Sequence, residues 1–334
     1  MIEIIAEIGV NHDGSLAKAR ELVHAARACG ADTAKFQTFK AANLVTGTAP
    51  TAEYQKTHHA GDQLTMLRRL ELSADDFRAL RTCCGEVGIG FLSTPFDLES
   101  LAFLLDLGVD TIKIGSGELT NLPLLAAIGR AGVRVILSTG MARLGEIETA
   151  LDVLRAAGCR DLVLLHCVTQ YPTPADQVNL RAMGTLRQAF AVPVGYSDHT
   201  QGNEMAIAAA ALGAVIIEKH LTLDPTAPGP DHAASSSPAE FAALVAAVRN
   251  VEAGLGDGVK RPAACEVANM AIARKSLVAA RDLAAGTVVA AVDLVVKRPG
   301  DGIAPAHLDH VTGLRLARPV ARDTVLRWED FQHG

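Results

Sequence analysis

The chain has 334 residues, 49% of them hydrophobic, which is enough to bury the core of one large domain with a smaller one beside it. A formal net charge of -6 excludes the broad basic surface of a nucleic-acid-binding protein, so any anion must be held by a few placed cations. Six scattered cysteines without a CxxC pair indicate reduced thiols rather than a disulfide framework.

The N-terminal segment MIEIIAEIGVNHDG carries Glu3, Glu7 and Asp13, and it lacks the basic start and continuous apolar stretch of a signal peptide. No later run reaches the length of a bilayer-spanning helix without charged residues. We therefore expect a cytoplasmic protein that binds neither membranes nor nucleic acid.

Short apolar segments rich in Ile, Val and Leu alternate with longer helical stretches, among them 15–29, 97–107, 144–157, 204–212 and 238–255. The eight predicted strands are 2–8, 33–39, 89–93, 111–114, 133–138, 162–167, 192–196 and 215–220. Strand followed by helix, repeated eight times over about 250 residues, predicts a (β/α)8 TIM barrel. The rival, a doubly wound open sheet, would carry a Gly-rich phosphate loop after its first strand, but that turn reads GVNHDGS.

After residue 255 the pattern changes to short apolar pieces separated by Gly, Pro and Asp: SLVAA, TVVA, LVVKRPG and TVLRWED. These pieces predict a small C-terminal β-rich domain. A domain of roughly 60 residues buries a modest core, so we expect it to dock against a barrel. The predicted boundaries are 1–258 for the barrel, 259–275 for a linker and 276–334 for the small domain.

Barrel enzymes carry their catalytic groups at the carboxyl ends of the strands and in the loops that follow. Each residue at these ends could have a structural role, but a complete ring of polar residues predicts an active site. Residues two apart on a strand share a face, so Lys219 should point away from the barrel interior. The strand-end residues are Glu7, Lys35, Gln37, Thr94, Lys113, Ser116, Glu118, Ser138, His166, Thr169, Asp198, His199, Glu218 and His220.

Lys35 and Lys113 should both point into the barrel mouth, where burial of their charges requires anionic partners. The hydroxyls of Thr94, Ser116 and Ser138 add neutral donors, so the group predicts a cradle for phosphate and carboxylate. The alternative is that the two lysines pair with Glu7 and Glu118.

His199 and His220 end neighbouring strands and could share a metal in an open site that suits Mn2+, Mg2+ or Co2+. Alternatively, each is a hydrogen-bonded core histidine. The loop after the eighth strand supplies Asp231, which could hold sugar hydroxyls, and His232. Ser237 before Pro238, with Glu240 three residues later, predicts a capping box.

Eleven sequence segments resemble the sialic acid (nonulosonic acid) synthases almost from end to end. In the barrel these are AEIGVNHDG, AKFQTF, STPFD, KIGSGE, LSTGM, HCVTQYPTP, GYSDHT, EKHLTLD and PGPDH. In the tail, ARKSLVA and VVKRPGDGI resemble the antifreeze-like (SAF) domain that these synthases carry. The resemblance implies a (β/α)8 barrel and a SAF domain in a domain-swapped homodimer, with phosphoenolpyruvate and a divalent ion, typically Mn2+, in the barrel mouth.

The resemblance also assigns roles to individual residues. It implies that His199 and His220 bind the metal and that Glu118 handles a proton. Arg298 would reach the sugar from the partner's tail domain. Thr169 stands where the family often has Asn or Ser. Phosphoenolpyruvate would be held by Lys35, Thr94, Lys113, Ser116, Ser138 and Ser197, and the open-chain sugar by Glu7, Gln37, Tyr171 and Asp231.

The expected reaction joins phosphoenolpyruvate, N-acetylmannosamine and water to give N-acetylneuraminate and phosphate. An alternative sugar is 2,4-diacetamido-2,4,6-trideoxymannose, which gives N,N'-diacetyllegionaminate; the motifs fit a pseudaminate synthase less well. A synthase acting on a phosphorylated sugar should show additional Arg or Lys, for which Arg143 is one candidate. An ice-binding role for the tail would need flat arrays of Thr, which are not evident.

Overall fold

The computed structural model describes residues 1–46 and 63–332. The chain divides into two compact units, Met1–Gly256 and Asp257–Gly334. Across the described ranges, every helix is too short or too polar to span a bilayer. The six cysteines are free thiols.

Eight strands of the first unit form one parallel sheet, and every hydrogen-bonded neighbour pair in it is parallel. The order is β3-β2-β1-β8-β7-β6-β5-β4, and contacts between β3 and β4 complete the ring. This confirms the predicted (β/α)8 barrel. The strands are β1 Glu3–Gly9, β2 Thr33–Thr38, β3 Gly90–Pro95, β4 Thr111–Ile114, β5 Arg134–Ser138, β6 Leu162–His166, β7 Val194–Asp198 and β8 Ile216–His220.

The helices of this unit cover the outside of the barrel, and several begin at side chains that cap their free N–H groups. Ser237 forms the predicted capping box with Glu240. All five predicted helices are found within one residue of the expected bounds. The helices are α1 Leu16–Ala28, α2 Ala41–Leu44, α3 Gln63–Leu70, α4 Ala74–Val87, α5 Leu98–Asp106, α6 Leu122–Arg130, α7 Leu144–Ala156, α8 Ala182–Phe190, α9 Glu204–Ala211 and α10 Pro238–Leu255.

The side chains of the strands alternate between two cores, as the period of two requires. Outward residues such as Ile4, Phe36 and Tyr196 pack against the helices. The inward residues lower in the barrel form a separate apolar floor of Ile5, Leu92, Ile136, Val163, Leu165 and Ile216. One step further along the same inward face, the strands carry the polar residues of the candidate site.

The second unit has its own apolar core, which includes Leu277, Val311 and Phe331. Its strands β9 Ser276–Ala279 and β10 Leu294–Lys297 pair antiparallel, and its helices are α11 Val267–Ala273 and α12 Leu308–Val311. The segments TVVA and TVLRWED were also expected to be strands. That expectation is wrong, because they make single bridges, Val288 to Arg315 and Val278 to Val325, rather than ladders.

Candidate active site

A cavity opens at the carboxyl ends of the barrel strands. Its lining includes thirteen of the fifteen predicted site residues, and the two outside it are Glu118 and Arg298. The thirteen are Glu7, Lys35, Gln37, Thr94, Lys113, Ser116, Ser138, Thr169, Tyr171, Ser197, His199, His220 and Asp231.

Lys35 lies between two buried carboxylates at one side of the cavity. Its Nζ is 2.8 Å from Glu7 Oε2 and 3.5 Å from Glu218 Oε1. The parallel register explains the first contact, since Glu7 is the direct neighbour of Lys35 on β1. Gln37, two residues further along β2, donates its side-chain N–H to Glu7 Oε1 at 2.9 Å.

Lys113 enters the same network from β4 and is 2% exposed. Its Nζ donates to Ser138 Oγ at 2.6 Å and to the carbonyl of Ile114 at 3.2 Å. The nearest described carboxylate oxygen in an ion pair with it is Glu218 Oε1, at 3.8 Å. The expected alternative partner, Glu118, makes no such contact, because it lies outside the cavity.

The charges of this network perturb one another. Burial alone would raise the pKa of Glu218, but Lys113 and Lys35 outweigh burial and lower that pKa to about 2. Burial lowers the pKa of Lys113, and Glu218 offsets part of this effect. For Lys35, Glu218 and Glu7 outweigh burial and raise the pKa. Burial raises the pKa of Glu7 against the attraction of Lys35. The cavity therefore holds two cations beside one firmly ionised carboxylate and a second that protonates more easily.

Hydroxyl groups line the wall next to Lys113. Ser116 begins a short 3-10 turn, Ser116–Glu118, and its Oγ accepts the backbone N–H of Gly140 at 3.0 Å. Gly140 is needed there, because a Cβ would lie 2.3 Å from Thr169 Oγ1 and 2.8 Å from Ser116 Oγ. Thr169 Oγ1 is buried without a hydrogen-bond partner among residues 1–46 and 63–332. These hydroxyls are available to an anion in the cavity.

His199 and His220 meet at the ends of β7 and β8, with ring centroids 5.5 Å apart. The Nδ1 of His199 lies 2.7 Å from the carbonyl of Val168, which fixes the ring and makes Nδ1 the protonated nitrogen. Burial is the main cause that lowers the pKa of His199 to about 4 and the pKa of His220 well below 6.5. Both rings are therefore neutral near pH 7, the form in which imidazole binds a metal.

The donor set fits an open metal site better than a closed one. His220 Nδ1 is buried and has no hydrogen-bond partner in the described part of the chain. Among the described residues, no group of three or more His, Cys, Asp or Glu side chains is arranged as a metal cage. Two neutral histidines, one held by a backbone carbonyl, match a catalytic ion whose other positions are taken by water and substrate oxygens.

Asp231 lies above the histidines in the loop after β8, with Oδ2 3.6 Å from His220 Nδ1. Burial, followed by the nearby Glu7 carboxylate, raises the pKa of Asp231 to about 7. Tyr171 packs its ring on His199, with 4.2 Å between ring centroids. Ser197 donates to Glu218 Oε1 at 2.9 Å.

Two predicted site residues are placed elsewhere. Glu118 accepts the side-chain N–H of Asn121 at 2.6 Å, at the start of α6. Arg298 lies in the second unit, where its Nε donates to the carbonyl of Ala273 at 3.1 Å.

Three other residues at the strand ends do not face the cavity. Lys219 points outward as predicted and pairs with Asp198 at 2.7 Å. His166 also faces the helices, with Nε2 2.7 Å from the carbonyl of Val178.

The structure adds residues to which the sequence assigned no role. Glu218 lies at the centre of the charge network. Its position two residues before His220, on the same face of β8, is the sequence signal that could have identified it. Cys167 lies beside Ser116, with Sγ 3.2 Å from Oγ. No signal in the sequence pointed to the apolar wall of the cavity, which is formed by Val10, Met66, Leu67, Leu70 and Phe96.

Comparison with known proteins agrees with this geometry. The NeuB family matches residues 22–260 and the SAF domain matches residues 274–332. The chain is 45% identical to the N,N'-diacetyllegionaminic acid synthase of Legionella pneumophila, over 98% of this chain and 94% of the relative. It is also 45% identical to the enzyme of the same name from Campylobacter jejuni, over 97% of this chain and 98% of that one.

A solved structure has a similar fold. It is the N-acetylneuraminic acid synthetase of Leptospira borgpetersenii, solved in complex with citrate. The TM-score is 0.72 and the sequence identity 35%, over 80% of this chain and 90% of that one.

Proposed function

The chain belongs to the NeuB family and carries a SAF domain, and on this premise we propose that it condenses phosphoenolpyruvate with an N-acetylated amino sugar. The products are a nine-carbon sugar acid and inorganic phosphate, and water supplies the oxygen at C2. The main observation behind the proposal is the pair of buried lysines beside a wall of hydroxyl groups at the carboxyl ends of the barrel strands.

Phosphoenolpyruvate is proposed to bind the wall formed by Lys113, Ser138, Ser116 and Thr94, with Lys35 at its edge. Glu7 and Glu218 balance the charges of the two ammonium groups only in part. A phosphate and a carboxylate would supply the remaining anionic partners. Fixed donors of this kind orient the reactant and stabilise the charge of the departing phosphate. Ser197 and Thr169 line the same cavity and are assigned to this ligand as well.

His199 and His220 are proposed to hold a divalent ion, with Mn2+ preferred and Mg2+ or Co2+ as alternatives. When bound, such an ion would polarise the aldehyde oxygen of the sugar towards attack by C3 of phosphoenolpyruvate. Tyr171 packs against His199 and so limits the space in which the aldehyde can lie.

Proton transfer is assigned to Glu7 rather than to Glu118. Glu7 lines the cavity, and burial raises its pKa above the usual range of a glutamate, so it takes up a proton more readily than Glu218 does. The side chain of Gln37 and the ammonium of Lys35 fix the position of the Glu7 carboxylate. Glu118 has no comparable access, since it lies outside the cavity lining and accepts a hydrogen bond from Asn121.

We propose 2,4-diacetamido-2,4,6-trideoxymannose as the sugar, in place of the expected N-acetylmannosamine. Two relatives at 45% identity are named N,N'-diacetyllegionaminic acid synthases, while the N-acetylneuraminic acid synthetase structure shares 35%. The apolar wall of Met66, Leu67, Leu70 and Phe96 suits a sugar with a C6 methyl and a second acetamido methyl.

A sugar phosphate is less well supported. Among the described lining residues, the lysine and arginine side chains are Lys35 and Lys113, both assigned to phosphoenolpyruvate. Arg143 lines a different cavity, beside Met141 and Arg181. The domain-swapped homodimer and the approach of Arg298 to the sugar stay predictions of the family resemblance.

The test is phosphate release by metal-stripped protein given phosphoenolpyruvate, with Mn2+ and one sugar in each reaction. We expect release that requires both the metal and the diacetamido sugar, with N-acetylmannosamine a poorer substrate. Equal or faster release with N-acetylmannosamine would restore that sugar as the substrate. No release with either sugar would refute the proposed reaction.

A further inference from the structure

Two motifs beside the cavity have no role in the proposed reaction. Asn11, His12 and Asp13 follow β1, and His232 follows Asp231 in the loop after β8. Asn11, Asp13 and His232 do not line the cavity. Asn11 and Asp13 contact the loop that carries Asp231 and His232. Two separate sets of hydrogen bonds join these segments.

The first set is a chain from Asp13 through His232 to Thr222. His232 Nε2 lies 3.2 Å from Asp13 Oδ1, and His232 Nδ1 lies 2.6 Å from Thr222 Oγ1. A carboxylate can only accept, so Nε2 carries the proton and Nδ1 accepts the Thr222 hydroxyl. His232 and Thr222 are both fully buried. The imidazole therefore bridges the turn after β1 to Thr222, near the start of the loop after β8.

The second set joins Asn11 to the far end of the same loop. The Asn11 side-chain amide donates to Ser235 Oγ at 2.8 Å and to the carbonyl of Leu221 at 2.9 Å. Ser235 in turn donates its hydroxyl to the carbonyl of Asp231 at 2.7 Å. The backbone carbonyl of Asp231 is thus held by Ser235, and the next residue, His232, is anchored by Asp13 and Thr222.

The space around His232 leaves little freedom for the loop. A Cβ at Gly229 would lie 2.6 Å from the ring carbon Cδ2 of His232, so the backbone packs directly on the imidazole. Asp231 itself is 9% exposed, and its carboxylate reaches into the cavity from this fixed backbone.

We propose that Asp13, His232 and Thr222, together with Asn11 and Ser235, form a brace that positions Asp231 for the sugar. Its members are positioning residues, because none of Asp13, His232 and Thr222 lines the cavity that would hold the reactants. The proposal rests on the proposed function in one respect, that Asp231 contacts the sugar. It gives the NHD and DH motifs a shared role in sugar binding.

The test compares Asp13→Asn and Thr222→Val with wild type in steady-state kinetics for each substrate. We expect kcat/KM for the sugar to fall about tenfold, the size typical of lost outer-shell support, while KM for phosphoenolpyruvate stays unchanged. The matched control is Lys18→Met, which removes the other partner of Asp13 and leaves the contact to His232 intact. That variant should behave as wild type.

A double variant separates positioning from a general loss of structure. If the brace acts through Asp231, Thr222→Val added to Asp231→Asn should cost no more than Asp231→Asn alone. Additive losses, or an equal rise in both KM values, would overturn the inference while leaving the proposed reaction intact.

Hydrogen exchange gives a readout that needs no activity. The backbone N–H groups of Ala234 and Ser235 donate to Asp231 and His232 in the wild-type loop. Faster exchange at these amides in Thr222→Val than in Lys18→Met supports the brace, and unchanged exchange refutes it, whatever substrate the protein uses.

Discussion

Two buried charge networks lie back to back on β8, one on each face of the barrel wall. On the outer face, Lys219 donates to Asp198 Oδ2 at 2.7 Å and to the carbonyl of Thr200 at 2.8 Å. The other oxygen of Asp198 accepts from Tyr196 and from the backbone and hydroxyl of Thr200. Each charge in this outer network therefore has close, well-directed partners.

The inner network, one residue earlier on the same strand, is less complete. Lys113 is 3.8 Å from Glu218, the nearest carboxylate paired with it in the described chain. Glu218 Oε2, His220 Nδ1 and Thr169 Oγ1 are buried without hydrogen-bond partners among the described residues. Buried polar groups are normally satisfied, so the comparison indicates that the outer network holds the fold and the inner one is shaped for a ligand.

The largest expected effect on stability comes from removing one partner of the outer pair, Lys219 and Asp198. Asp198→Ala leaves the Lys219 ammonium buried, with its hydrogen bond to the Thr200 carbonyl but without its carboxylate, so we expect a loss of about 3–5 kcal/mol in unfolding free energy. Urea unfolding followed by circular dichroism measures this change. A loss below about 1 kcal/mol, the range of surface pairs, would show that the outer pair does not stabilise the barrel.

The matching change on the inner face should affect activity more than stability. Lys113→Met removes the donor to Ser138, and we expect kcat/KM for phosphoenolpyruvate to fall about a thousandfold. Glu218 keeps Lys35 and Ser197, so unfolding free energy should change by less than about 2 kcal/mol. A stability loss as large as that of Asp198→Ala, with activity retained, would remove the distinction between the two faces.

A buried histidine outside the cavity, His12, should make the stability of the fold depend on pH. Burial is the main cause that lowers the pKa of His12 from 6.5 to about 4, so the unfolded chain binds a proton there before the folded one does. Stability is fully present above pH 6.5 and falls as the pH drops towards 4. His12→Asn should therefore lose about 2 kcal/mol less unfolding free energy than wild type between pH 7.5 and 5. If the unfolding free energies of the two proteins fell equally between pH 7.5 and 5, His12 would be excluded as a source of acid sensitivity.

Periodicity and strand-end position were sufficient to predict the fold and most of the cavity lining. The outward direction of Lys219 and the capping box at Ser237 follow from local rules and are confirmed. The barrel and SAF domain are confirmed as well. Each of these predictions was made from a pattern within a short stretch of sequence.

The features that the sequence did not reveal depend on register between distant segments. Glu218 becomes the central carboxylate because β7 and β8 place it opposite Ser197 and within reach of both lysines. Glu118 lies outside the cavity because its carboxylate is engaged at the start of α6. The segment TVVA has strand composition, but Val288 finds one bridge partner rather than a continuous edge.

Binding of phosphoenolpyruvate tests most directly whether the inner lysines await an anion. Calorimetric titration with Mn2+ present should show one site per chain in wild type and affinity at least about a hundredfold weaker in Lys113→Met. Lys18→Met, a change at an ion pair outside the cavity, should bind as wild type does. Equal affinity in Lys113→Met and wild type would show that Lys113 does not hold the anion, and the incomplete inner network would then have another cause.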